Sequence, residues 1–291
     1  MIAERRKVLT MLHEQKINVD EAEGLLDALE QAPEPAQELK VEYITANPRT
    51  QKILDYALKA APSNLPVLIV GESGTGKWVM ARLIHHNSPR RDRPFVIFDC
   101  ALSSEILFES ELFGHERGAF TGAVHRKVGL IERANGGTLF LDGIGKLPMG
   151  LQPKLLRFAE TGEFERIGST EAIRADVRLI AITNKNLQAE VQAGRFRQDL
   201  LDCLSVILLE IPPLRERPED IPLLADYFLK NGAIQSGRSV PTIAPEAMDV
   251  LMAYSWPVNA RDLYRAMERA LVLCEGNTIK VEHLPDALTE Q

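Results

Sequence analysis

A chain of 291 residues, 45% of them hydrophobic, holds enough apolar surface for one large core and a smaller satellite domain. Its formal net charge of −7 argues against a general nucleic-acid-binding surface, although it leaves room for a local basic patch. No apolar run approaches the length of a bilayer span, and the charged opening MIAERRKVLTMLHEQ lacks the apolar stretch of an export signal, so membrane insertion is not expected and a cytoplasmic protein is.

The opening residues carry Ile2, Val8, Leu9, Met11 and Leu12 among charges. A second short helix follows, begun by Asp20 and Glu23 in a capping-box-like pattern and presenting Ala22, Leu25, Leu26 and Leu29 on one stripe. A helical hairpin over 1–32 is therefore expected. Its stripe is too small to fold alone, so it docks either on a protein partner, another copy of the chain included, or on this chain's main domain. Residues 33–40 read as a linker on the strength of the proline-bearing QAPEPAQ stretch, Gln31 to Gln37.

Residues Val67 to Lys77, VLIVGESGTGK, join an apolar β-run to a glycine-rich loop that closes on lysine. This is the pattern that surrounds nucleotide phosphates with backbone N–H groups. Gly71, Gly74 and Gly76 permit close approach, Lys77 supplies a point charge, and the helix that follows offers its N-terminal dipole. Glu72, Ser73 and Thr75 complete the candidate phosphate loop, and ATP is the expected ligand. In the helix, Val79, Met80, Leu83 and Ile84 are expected to share the buried face. Trp78 stands where a Ser or Thr hydroxyl usually ligates Mg²⁺; an indole cannot do so, and any metal depends on other ligands.

From Val41 to about Arg215, apolar runs alternate with helical patterns: VLIV, PFVIFDC, GGTLFLD, VRLIAIT and SVILLEI. That alternation predicts an α/β domain over 41–215 built on a parallel sheet flanked by helices. Beyond PPLRERPEDIP the strand signal stops, and 216–291 reads as a helical lid subdomain, with nucleotide between the two. The strand GGTLFLD ends in Asp142, placed to orient Mg²⁺ and its waters. Cys100, Cys203 and Cys274 include no Cys-x-x-Cys pair and read as reduced thiols. His85, His86, His115 and His125 lack metal-ligand spacing.

Beyond the linker, the chain resembles the AAA+ central domain of bacterial enhancer-binding proteins, activators of sigma-54 RNA polymerase. The residues carrying the resemblance are GESGTGK at 71–77, ESELFGHERGAFTGA at 109–123, GGTLFLD at 136–142 and LQPKLLRFAETGEFERIG at 151–168. Further on they are GRFRQDL at 194–200, PPLRERPEDIPLLA at 212–225 and WPVNARDL at 256–263. The resemblance implies an AAA+ P-loop NTPase fold with a C-terminal lid, forming a homo-oligomer, usually a hexameric ring. It further implies that Gly118, Ala119, Phe120, Thr121, Gly122 and Ala123 form the loop that touches sigma-54, with Phe120 and Thr121 at a small apolar and hydroxyl tip. Lys77 would hold the β- and γ-phosphates and Asp142 the Mg²⁺. Asn184 would sense the γ-phosphate, Arg261 would be the second sensor in the lid, and Arg197 would be an arginine finger reaching a neighbouring subunit's nucleotide.

The chain departs from the family pattern at the hydrolytic machinery. Gly143 stands where a glutamate normally polarises the attacking water, Asp99 where an asparagine partners that glutamate, and Cys203 where a second arginine finger is expected. The family's glutamate after the P-loop lysine falls on Trp78, and Val258 replaces a glycine in the lid motif. Two readings follow: an ATPase in which Asp99 orients water in place of the missing glutamate, or a hydrolysis-deficient member that uses ATP to bind and assemble. The chain ends at Gln291 without the helix-turn-helix that family members usually append, so no DNA-binding domain is expected within it.

Overall fold

The structure, a computed structural model, describes residues 42–101 and 104–289. The hairpin expected over 1–32 and the linker over 33–40 lie outside the described residues.

The described chain runs α1 (Pro48–Ala60), β1 (Val67–Val70), α2 (Lys77–His86), β2 (Phe95–Asp99) and α3 (Glu105–Phe113). It continues through β3 (Gly114–His115), β4 (Lys127–Val128), α4 (Leu130–Arg133), β5 (Thr138–Asp142), α5 (Gln152–Thr161), β6 (Glu163–Glu165) and β7 (Ala172–Arg174). Then come β8 (Arg178–Thr183), α6 (Leu187–Gln192), α7 (Gln198–Leu204), β9 (Ile207–Glu210) and α8 (Asp220–Ser236). The last elements are β10 (Thr242–Ile243), α9 (Pro245–Ala253), α10 (Ala260–Leu273), β11 (Thr278–Ile279) and α11 (Asp286–Thr289).

The central sheet has five strands in the order β2-β5-β8-β1-β9, every neighbouring pair parallel. These are the five apolar runs read from the sequence. Alternate residues of β5 face opposite layers: Leu139 and Leu141 pack with Leu68, Phe98, Phe108 and Leu155 on one side, and Phe140 packs with Ile69, Met80, Ile84 and Ile180 on the other. Because all strands run the same way, Val70, Asp99, Asp142, Thr183 and Glu210 end at one edge, and the loops that follow them meet there.

In α2, Met80, Ala81, Leu83 and Ile84 are buried while Val79 is exposed, contrary to the expected face. Around a helix the buried stripe runs from Leu83 through Met80 and Ile84 to Ala81, and Val79 falls just beyond its edge, about 160° from Ala81.

The lid surrounds its own core of Leu224, Leu229, Leu251, Trp256, Leu263 and Met267. It is not purely helical: Thr242 and Ile243 pair in parallel with Thr278 and Ile279. Strands of two residues are too short to give a period, which is why the sequence shows only helices there.

A buried ion pair joins the two parts. Arg217 and Asp220, 2% and 0% exposed, meet at 3.3 Å. Asp220 also accepts hydrogen bonds from the Thr45 hydroxyl at 2.9 Å and from the N–H groups of Ala46 and Asn47 at 2.6 and 3.1 Å. Removing one member of a buried pair strands the other charge, so Asp220→Ala is expected to cost about 3–5 kcal/mol. Urea unfolding measures this; a loss within ~1 kcal/mol would mean that the pair is dispensable.

Candidate functional site

The phosphate loop lies at the switch from β1 to α2. Gly76 precedes α2 at φ +100° and offers no side-chain cap, which leaves the N–H groups of the first turn turned toward the loop. Lys77 opens the helix and folds back, its Nζ donating to the carbonyls of Gly71 and Glu72, both at 2.7 Å. Burial pushes its pKa down to about 8; Asp142 pulls it up and Arg261 pushes it down.

The loop is braced from behind. The Thr75 carbonyl accepts from the Tyr43 hydroxyl at 3.2 Å and from Arg217 at 2.8 Å, and the Thr75 hydroxyl donates to the Glu72 carbonyl at 2.9 Å. The Tyr43 ring lies 3.1 Å from where a Cβ on Gly76 would sit.

The lid braces the same loop from the other side. A Cβ on Gly74, at φ +80°, would lie 2.0 Å from the Val258 carbonyl, so only glycine fits. Ala260 N–H donates to the Gly74 carbonyl at 3.1 Å. Asn259 is fully buried, donates to the Ser73 carbonyl at 2.9 Å and to the Glu72 carboxylate at 3.2 Å, and accepts from Leu214 N–H at 2.7 Å. Arg215 forks onto the same carboxylate at 2.7 and 2.9 Å. The Arg215 hydrogen bonds, then that from Asn259, hold the Glu72 pKa below the usual carboxylate range. Arg261 donates to the Ser73 hydroxyl at 3.2 Å.

Asp99 and Asp142 are register partners at the ends of β2 and β5. Burial first, then the Asp99 charge, raises the Asp142 pKa, opposed by Lys77, Lys146 and Arg261. Gly143, at φ +75°, brings no side chain to this corner; the Lys146 stem passes 3.8 Å from where its Cβ would be. The Trp78 ring meets Phe140 edge-on at 6.2 Å and lies 4.3 Å beneath the Arg82 guanidinium, and it brings no metal-ligating oxygen. Among the described residues no three His, Cys, Asp or Glu side chains converge as a metal cage. Mg²⁺ in nucleotide sites takes only one or two carboxylates, with phosphate oxygens and waters for the rest, and Asp142 beside Asp99 fits that requirement.

Asn184 follows β8 directly and is exposed. Arg197 precedes α7; its N–H donates to Gln152 at 2.7 Å and its guanidinium forks onto Asp199 at 2.6 and 3.0 Å, so its partners are not P-loop atoms. Cys203 lies in the same helix, half-buried, its thiol pushed up by burial and then by Glu160.

Residues 118–123 form a compact loop between β3 and β4. Gly118 N–H donates to the Ala123 carbonyl at 2.8 Å, and Ala123 N–H to the Phe120 carbonyl at 3.0 Å. Phe120 is half-buried, its ring edge-on to His115 at 4.9 Å, and His115 is held by Ser110 at 2.8 Å. Ala119 packs on Gly168, where an added Cβ would lie 2.8 Å from its own. Thr121 and Gly122 are exposed. In this structure Thr121, and not Phe120, is the outermost member of the expected tip.

The description Sigma-54 interaction domain matches residues 43–210, and AAA+ ATPase lid domain matches residues 215–291. The chain belongs to the sigma-54 interaction domain family. Its fold is AAA+, a parallel sheet flanked by helices with a lid. Relatives in the family include the transcriptional regulatory protein ZraR of Salmonella typhimurium (strain LT2), 50% identical over 84% of this chain and 56% of its own length. Regulatory protein AtoC of Escherichia coli (strain K12) is 50% identical over 85% of this chain and 54% of its own length. The Nif-specific regulatory protein of Azotobacter vinelandii is 48% identical over 80% of this chain and 44% of its own length. The chain thus spans about half the length of the curated relatives it matches. Among solved structures, NtrX from Brucella abortus in complex with ATP superposes with a TM-score of 0.80 at 35% identity, covering 92% of this chain and 61% of NtrX. The Saccharomyces cerevisiae Hsp104–ADP complex shares the fold at a TM-score of 0.57 and 19% identity, covering 81% of this chain and 46% of that one.

Sequence reasoning named the glycines, Lys77, Asp142 and Arg261, and the structure gathers Lys77, Asp99, Asp142 and Arg261 around the phosphate loop. It assigned no role to Tyr43, Arg215, Arg217, Asp220 or Asn259, which hold that loop. For Arg215, Arg217, Asp220 and Asn259 the only signal was their place inside motifs already quoted, PPLRERPEDIP and WPVNARDL; Tyr43 lies in neither.

The depressed Lys77 pKa has a testable consequence. Between about pH 8 and 10.5 the unfolded chain keeps a proton that the folded chain has released, so this group's contribution to stability rises with pH across that window. The urea midpoint of the unaltered chain is expected to gain on that of Lys77→Met from pH 8 to 10.5. A constant difference would mean an ordinary, solvent-like ammonium.

Proposed function

We propose that this chain is an ATP-binding regulator that contacts sigma-54 RNA polymerase through residues 118–123 and uses ATP binding and hydrolysis, in a homo-oligomeric and usually hexameric ring, to remodel it for transcription activation. The observation that carries the reading is one domain holding both a braced phosphate loop ending in Lys77 and an exposed Thr121 on the GAFTGA loop. No helix among the described residues is long and apolar enough to cross a membrane, which suits the cytoplasmic setting of a transcription regulator. Residues 1–32 would serve as a site for a protein partner.

Bound ATP with Mg²⁺ would supply the transferable γ-phosphoryl group. Lys77 would leave the Gly71 and Glu72 carbonyls for the β- and γ-phosphates, while the first-turn N–H groups of α2 take the remaining charge. Asp142 would hold the metal, Asn184 and Arg261 would read the γ-phosphate, and Arg197 would leave Asp199 for a neighbouring subunit's site. With no side chain at Gly143, Asp99 is the carboxylate beside Asp142 able to take a proton from water.

A second reading rests on Gly143 and Cys203. A positioned base contributes about 10²–10⁴-fold and an arginine finger about 10³–10⁵-fold, so a chain lacking both of the family's groups would bind ATP without turning it over. Steady-state hydrolysis across a protein-concentration series, with Lys77→Ala as blank and nucleotide binding measured in parallel, decides between them. Turnover is expected to rise with concentration and to fall by about 10²-fold or more in Asp99→Asn. Binding without turnover would replace the motor with a nucleotide-gated regulator; unchanged turnover in Asp99→Asn would remove Asp99 from the chemistry.

A further inference from the structure

Glu72 is the one P-loop residue that touches both the phosphate-binding lysine and the lid. Its carbonyl takes the Lys77 ammonium at 2.7 Å and the Thr75 hydroxyl at 2.9 Å. Its carboxylate takes the Arg215 fork, from the short turn that enters the lid, and Nδ2 of Asn259, the residue that precedes α10. Asn259 also ties the two sides through Ser73 and Leu214, and Ala260 N–H reaches Gly74. Asn259 is buried with φ +58° and ψ −139°, a strained conformation that a non-glycine residue keeps only where its surroundings enforce it.

As a plain clamp this arrangement is poorly placed. Glu72 and Arg215 are 42% and 48% exposed, and exposed ion pairs contribute little to stability. Its distinguishing property is connectivity: the residue it holds is also the one whose carbonyl Lys77 must release when phosphate arrives. We infer that Glu72, Arg215 and Asn259 form a relay that passes phosphate occupancy of the loop to the lid, with Arg215 and Asn259 as positioning residues that do not touch the nucleotide. Phosphate seated on the N–H groups after Gly74 draws off the ammonium and stiffens 71–76, and the Glu72 carboxylate carries that stiffening to the first turn of α10. The inference rests on the nucleotide binding proposed above.

Amide hydrogen exchange of α10 in the full chain, with and without saturating ADP, tests it, with ADP affinity measured by calorimetry on the same samples. In the unaltered chain ADP is expected to slow exchange in the first turns of α10 about 10-fold. In Arg215→Met, ADP still binds within about 3-fold, but the nucleotide-dependent change falls below about 2-fold; Arg215→Lys, which keeps the charge without the fork, restores part of it. Should Arg215→Met fail to unfold cooperatively, Glu72→Gln carries the test, since it removes the carboxylate charge and keeps the carbonyl that Lys77 uses. A full ADP effect in Arg215→Met, or in Glu72→Gln where that variant carries the test, overturns the relay, and so does loss of ADP binding in Arg215→Met, which would make Arg215 a binding residue. An unaltered chain that binds no ADP defeats the proposed function itself and the relay with it; one that binds ADP with no change in α10 defeats the relay alone.

Discussion

The buried Arg217–Asp220 pair is the constraint on which the nucleotide site depends. Asp220 gathers the Thr45 hydroxyl and the amides of residues 46 and 47, which lead into α1, while Arg217 reaches the Thr75 carbonyl in the phosphate loop. Three stretches far apart in sequence are thereby fixed to one charge pair. The arrangement answers a problem of the loop itself: a glycine-rich turn loses much backbone entropy when ordered, so its carbonyls need external donors. Tyr43, Arg217, Asn259 and Ala260 supply them, and beyond Gly71, whose N–H donates to the Thr183 carbonyl, the loop's own N–H groups stay available for an anion.

The site is uneven in a way that bears on function. On the binding side the structure holds a lysine placed by its helix, a braced loop and a lid arginine at Ser73. On the hydrolytic side it holds two adjacent carboxylates at strand ends, a glycine in the left-handed region and a half-buried cysteine. Burial first and then Asp99 work against the charged form of Asp142, while Lys77, Lys146 and Arg261 support it. In the proposed function, binding would rest on the braced loop and Lys77, whereas turnover would rest on the corner formed by Asp99, Asp142 and Gly143.

Much of this was legible in the chain. Five apolar runs became five parallel strands because near-continuous Val, Ile and Leu runs suit a sheet covered on both faces. The loop 71–77 was readable because its glycines and spacing are local properties, whereas the segment 118–123 was readable only through the family resemblance. What escaped was non-local or too short. Asn259 owes its role to partners at 72, 73 and 214, and no spacing within one motif announces them. The lid strands have two residues each, and Phe120 turns inward because His115, fixed by Ser110, offers an aromatic partner in reach.

In the proposed function, phosphate chemistry at Lys77 drives contact with sigma-54 through residues 118–123. The most direct measurement is open-complex formation by sigma-54 RNA polymerase on a supercoiled promoter, with this chain and either ATP or a non-hydrolysable analogue. The account predicts open complexes with ATP, none with the analogue, and none with Thr121→Ala although that variant binds nucleotide normally. Open complexes that form equally with the analogue, or that survive Thr121→Ala, would contradict it.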